Sequence, residues 1–186
     1  MKKAIVFSLI IIVASFLISL LIYLSAKGKG KSTEKVETPA MAKKDQSPSS
    51  AEEEKVTLFF PTWEGFLKPQ EQGIEKTANK REKAETILEK LKNPPSGAES
   101  PFPIGGEVRK VFITGKMAVI DLQFPSEGMG ASQELLTIYS IVNSIIFNIE
   151  GIEEVKIVIG GIERETLYGH ISLKYPFYMD LSYAGE

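Results

Sequence analysis

The side chains able to do chemistry in this sequence are few and scattered. His170 is the only histidine, and it stands in Leu167-Tyr168-Gly169-His170-Ile171 with no Asp or Cys close by. General-base work needs an imidazole with an orienting partner and a nucleophile in reach. The expected role of His170 is therefore structural, with its ring nitrogens bonded to backbone. Asp121 lies inside the apolar run AVIDLQF. A functional Asp121 would pair with His170 or Arg109; the expected one faces solvent or caps the glycine-rich loop at Gly128 and Gly130. Glu134 is expected to serve the start of a helix, where a carboxylate suits the dipole. Asn143, set among apolar neighbours, is expected to satisfy a backbone group of the long loop 93–107. A deep polar cleft in which the imidazole meets a carboxylate within bonding reach would signal bond-breaking chemistry instead.

Other chemistries are poorly provided for. With no cysteine there is no disulfide framework, zinc knuckle or thiol nucleophile. Gly105-Gly106 and Gly160-Gly161 lie in neither a P-loop nor a dinucleotide-binding pattern. Glu150, Glu153 and Glu154 cluster without the alternating ligands that a calcium cage needs, which reads as a solvated acidic turn. No cofactor or metal is expected. Residues 55–186 carry fourteen Lys and Arg against eighteen Asp and Glu. Nucleic-acid binding needs a clustered basic face, so that partner class is set aside.

The element that must position these groups is Ala131 to Asn148, ASQELLTIYSIVNSIIFN. Leu135, Ile138, Val142, Ile145 or Ile146, and Ile149 recur at helical spacing, and Leu136, Tyr139 and Phe147 widen the stripe. Only Thr137, Ser140, Ser144 and Asn148 form a polar strip, so the helix should be buried on most sides. Ser132 is the expected N-cap, and Gly151 is placed to close the other end in a left-handed conformation.

Around this helix the pattern predicts a strand at 55–60 ending at Pro61, a short strand at Phe66–Pro69, and a one-sided helix from Thr77 to Lys92. Asn93 to Glu107 is a proline- and glycine-rich loop of a length that is often functional. A hairpin follows, 108–115 and 116–124, turning at Gly115-Lys116. Strands are expected at 155–161 and 165–173. The predicted order is βαββαβ, an α+β split-βαβ unit with two helices on one face of a three- to four-stranded sheet. The aromatics Phe59, Phe60, Trp63, Phe66, Tyr175, Phe177 and Tyr178 should be mostly core, with any exposed subset marking a protein-binding patch.

The chain ahead of this domain is of another kind. Ala4 to Ala26 carries no charge and exceeds the ~20 residues needed to cross a bilayer. It is longer than the apolar region of a signal peptide, and Leu24-Ser25-Ala26 is a poor cleavage site. Residues 1–26 are thus expected to be an uncleaved transmembrane signal-anchor. Residues 27–54, rich in Lys, Glu, Ser and Pro, should be a disordered linker. Such a coil would hold the domain on the order of 30 Å from the membrane. Lys2 and Lys3 before the span, against Lys27, Lys29, Lys31 and Lys35 after it, leave the orientation undecided.

Several pieces in order give the chain a resemblance to the GerMN domain of sporulation and spore germination proteins. They are KVTLFFP, LEKLKNPP, PFPIGGEVRKVFI, AVIDLQF, SQELLTIYSIVNSI, VKIVIGG and ETLYGHISLKYPF, covering about residues 55–179. Residues 180–186 would be a C-terminal tail. The resemblance implies an extracytoplasmic domain and similarity to small modules that build rings in envelope assemblies. It marks Asp121, Glu134, Asn143, Gly169, His170 and Pro176 as motif positions with structural or interaction roles. The chain departs from the family's namesake in three ways. It has one domain instead of two, a membrane span instead of a lipidated cysteine, and Gly160-Gly161 where an Asp-Gly pair is usual. A sporulation role is therefore not carried over. The expected function is a non-catalytic, membrane-anchored interaction module that docks to an envelope protein or to copies of itself. The alternatives are a cell-wall hydrolase using Asp121, His170 or Glu134, and a small-ligand sensor with loop 93–107 as a lid.

Overall fold

The structure is a computed structural model that describes residues 52–126 and 128–185. The expected anchor and nearly all of the expected linker lie outside the described residues. Among the described residues, no helix is long and apolar enough to cross a membrane.

Two antiparallel strands open the domain: β1 (Glu53–Pro61) and β2 (Leu67–Glu75). Helix α1 (Lys80–Lys92) follows, then the hairpin β3 (Glu107–Thr114) and β4 (Met117–Gln123). Helix α2 (Ala131–Asn148) connects β4 to β5 (Glu154–Ile159), and a short 3-10 turn, Leu181–Tyr183, lies near the end. The α+β class is as expected, but the strands form two sheets, one of two strands and one ordered β3-β4-β5. β4 and β5 are adjacent and parallel, so no strand separates the pair that α2 joins, and the predicted split unit is corrected. The reason lies in β1. Its outer edge bonds to side chains of α2, and β2 takes the other edge, so β1 has no free side to offer the second sheet.

The hairpin partner is also longer than the residues suggested. β2 carries only Leu67 and Ile74 as buried apolar residues, too few to show an alternating pattern. Pro69 fits it because it faces Phe59, whose N–H and C=O both point to α2. The missing proline N–H then lies on the outer side of an edge strand, where no ladder bond is lost.

Four faces meet in the core. α2 supplies Ile138, Ile141, Val142 and Ile145, and α1 supplies Ala84, Ile87, Leu88 and Leu91. Val56, Leu58 and Phe60 come from β1, with Ile120 and Ile157 from the middle of the second sheet. α2 begins one residue before the expected cap. Gly130 is the N-cap without a side-chain bond, and Ser132 falls inside the first turn. Ala131, the best helix former, carries the helix that extra step. At the other end Gly151 has φ +77°, as its position predicts, and a Cβ built there would meet Lys80 Nζ at 3.0 Å. Gly151→Ala is expected to cost about 1 kcal/mol of stability through the left-handed backbone, read as a lower denaturant midpoint at unchanged slope.

The expected strand at 165–173 is replaced by an irregular loop with a single bridge, Thr166 to Ser172. The expected tail is docked: Ala184 bridges Leu67, and Gly185 N donates to Leu67 O at 2.9 Å.

A buried carboxylate, the lone imidazole and an open cleft

α2 aims its polar side chains at the backbone of other segments. Asn148 Oδ1 accepts from Thr57 N at 2.8 Å, while Asn148 Nδ2 donates to Thr57 O at 2.6 Å and Ser144 O at 2.7 Å. Ser144 Oγ accepts from Phe59 N at 3.0 Å, and Ser140 Oγ donates to Phe59 O. Thr137 Oγ1 donates to Pro101 O at 2.9 Å. The narrow polar strip of the sequence is thus a row of partners for the edge of β1 and for the proline-rich loop. Asn143 does satisfy backbone groups, but those of Asp180, at 2.8 and 3.0 Å. Loop 93–107 is taken by Thr137, which lies on the adjoining face.

Glu134, in the first turn, is fully buried and does more than serve the helix start. Oε1 accepts from Leu167 N at 3.2 Å and Ile171 N at 3.1 Å; Oε2 accepts from His170 N at 3.2 Å. Nδ1 of His170 lies 2.8 Å from the same Oε2. An ionised carboxylate only accepts, so Nδ1 carries the proton in this contact. His170 is therefore bonded to a carboxylate where backbone was expected. Its backbone N–H, by contrast, does bond to Glu134. Gly169 permits the arrangement: at φ +102° it turns the chain so that amides on both sides face one group. With those amides turned inward, a strand ladder through 165–173 cannot form.

Burial by itself would push the Glu134 carboxyl up. The backbone N–H groups of 167–171 and the His170 imidazole outweigh it and hold the carboxyl below its ordinary value of 4.5. A depressed folded value stabilises above the unfolded value and is lost as pH falls through the folded one. The domain is therefore expected to lose stability below about pH 4.5. In Glu134→Gln that acid limb should be shallower, measured as the denaturant midpoint against pH.

Asp121 is buried. Its Oδ1 accepts from Gly161 N at 2.8 Å, and Arg109 Nη1 lies 3.7 Å from Oδ2. It caps the Gly160-Gly161 turn that ends β5, and neither Gly128 nor Gly130, nor solvent, receives it. The cause is register: β4 and β5 are paired in parallel, which brings the end of β5 beside Asp121. Arg109 is a partner as the functional reading required, while His170 is bound elsewhere. Pro176 is half-buried and precedes Phe177, which exchanges backbone bonds of 2.9 and 2.8 Å with Val155. Among the expected aromatics, Phe59 and Phe60 are core, and Trp63, Tyr175 and Tyr178 are exposed. Glu153 pairs with Lys116 at 2.6 Å.

One group was missed. Lys156 is buried and donates to Leu173 O at 2.9 Å and Lys174 O at 2.8 Å. A lysine inside VKIVI, the only charge in an apolar strand, was the signal available.

The imidazole does meet a carboxylate within bonding reach, one half of the sign set for chemistry. The other half is not met at the pair: an opening of about 710 Å³ lies beside the loop, bordered by Phe124 and residues 164–169, but neither Glu134 nor His170 lines it. His170 is at the surface, its side chain 43% exposed, and the carboxylate side chain is 0% exposed with both oxygens occupied. Among the described residues, no side chain bonds to the second ring nitrogen of His170. A cleft of about 690 Å³ lies elsewhere, bordered by residues 61–63, Gly65, residues 99–104, Pro125, Gly128, Met129 and the first turns of α2.

Residues 57–165 match the family model Germane, described as sporulation and spore germination. Among solved structures, the first GerMN domain of the sporulation protein GerM from Bacillus subtilis superposes with a TM-score of 0.56 at 20% identity. That match covers 67% of this chain and 96% of the other. The tandem GerMN domains of the same protein give a TM-score of 0.54 at 20% identity, over 70% of this chain. The chain spans 46% of that tandem structure. At such identities the likeness is one of fold. No curated protein matches the chain.

Proposed function

The chain belongs to the Germane family of sporulation and spore germination domains, and from that premise we propose that it is a non-catalytic interaction module of the cell envelope. Residues 4–26 anchor it in the membrane as a single span. The following segment spaces it, and the domain acts on the extracytoplasmic side. Its partner is an envelope protein or another copy of the chain.

One observation carries this reading. The buried and half-buried polar side chains of α2 are occupied by backbone of the domain itself, Glu134 included, which leaves little there for a reacting substrate. Large apolar side chains such as Trp63, Tyr175 and Tyr178 stand exposed instead, and exposed apolar surface is what recognition uses.

Cross-linking in intact membranes, followed by recovery of the full-length chain, tests the proposal. Discrete adducts with one envelope protein or with itself are expected; monomer alone would overturn it. Protease added to spheroplasts should digest the domain, and protection would reverse the proposed orientation. A second reading, a small-ligand sensor, draws on the cleft, which residues 99–104 of the long loop do border.

A further inference from the structure

The cleft has a chemistry of its own, and any ligand assigned to it rests on the small-ligand reading. Trp63 is the only tryptophan of the chain and is 85% exposed. It is raised by the β1–β2 turn, which Thr62 and Phe66 close with a backbone bond of 2.9 Å. Ile104, fully exposed, borders the same cleft, and the buried Phe102 and Leu136 form its floor. A volume of about 690 Å³ falls within the range of small-ligand sites.

Charge decides what such a cleft could hold. Among the described lining residues Glu99 is the only charged one, and no Lys, Arg or His is present. Phosphates, nucleotides and acidic peptides would meet no countercharge. Of the polar lining groups, the hydroxyls of Thr62, Ser100 and Thr137 are bonded to backbone carbonyls. Ser132 and Gln133, exposed on the first turn of α2, remain to meet a ligand beside Glu99. A peptide is disfavoured on two counts. Prolines 61, 101, 103 and 125 along the rim lack the N–H groups that strand addition uses. Only one exposed aromatic ring is offered, where proline-rich segments need an aromatic-lined groove.

We infer that this cleft binds a neutral saccharide chain, with Trp63 as the stacking platform. A pyranose ring presents polarised C–H groups that suit the negative face of the indole, and hydroxyls that suit Ser132 and Gln133.

The test uses the full-length chain in a detergent without a sugar headgroup, with fluorescence of the single tryptophan as readout. The probes are a β-1,4-linked N-acetylglucosamine tetramer, cellotetraose and a proline-rich peptide. A saturable spectral shift with at least one tetrasaccharide is expected. Trp63→Ala, followed by calorimetry, should weaken that binding about tenfold. Gln133→Ala should weaken it with the fluorescence reporter intact, and both variants should melt as the wild type does. Saturation by the peptide and by neither sugar would overturn the saccharide assignment while leaving a binding cleft. Silence from all three probes would overturn the cleft reading with it and leave the interaction module standing alone.

Discussion

Glu134→Ala is expected to lower the free energy of unfolding by about 3 kcal/mol, a fall of roughly 10 °C in melting temperature for a domain of this size. The truncation leaves the N–H groups of Leu167, His170 and Ile171 and the imidazole Nδ1 without their acceptor. A buried donor left unpaired costs about 1–3 kcal/mol. The sum is smaller than the separate costs because the 167–171 loop lies partly at the surface, where water can replace part of what is lost. Glu134→Gln keeps one acceptor oxygen and should cost about half as much. Amide hydrogen exchange provides the local signature: protection at 167, 170 and 171 should fall in both variants before it falls in β4.

Asn148→Ala is the second large effect, expected at about 2 kcal/mol. It removes both partners of Thr57, the donor to its C=O and the acceptor of its N–H. Nothing else on that side of β1 replaces them. Ser144→Ala, which orphans only Phe59 N–H, should cost about half as much. Asn148→Ala should also promote self-association on mild heating, since an unpaired strand edge is a template for pairing with another chain. Equilibrium denaturation and light scattering of the two variants, taken together, check both statements.

What these variants probe was only partly legible in the residues. The span of α2 followed from its apolar spacing, and so did the burial of its narrow polar strip. The hairpin turning at Gly115, where φ is +59°, followed from a glycine between two apolar runs. α1 and β5 were placed to within a few residues, α1 by its helical periodicity and β5 by its almost unbroken apolar run. β2 was largely missed because LKPQEQGIE has too little apolar alternation; its pairing is set by β1. The loop at 165–173 was misread as a strand because the backbone N–H groups of Leu167 and Ile171 bond to a carboxylate more than thirty residues earlier in the chain and not to a neighbouring strand.

The site shows the same division. Residue type marked Glu134, Asp121, Asn143 and His170 as worth watching, but their partners depend on tertiary register. Asp121 meets Gly161 only because β4 and β5 pair in parallel. Asn143 meets Asp180 only because the chain end returns to the helix. Glu134 and His170 are separated by the whole of β5, and no local pattern couples them.

The central claim is that the Glu134–His170 pair holds a loop in place and performs no reaction. Melting temperature and release of soluble fragments from isolated cell walls, measured side by side on full-length wild type and Glu134→Gln, test it most directly. Glu134→Gln should melt several degrees lower, about 3 °C for each kcal/mol lost, with no fragment release above buffer from either protein. Fragment release by the wild type that disappears in Glu134→Gln, at an unchanged melting temperature, would contradict it.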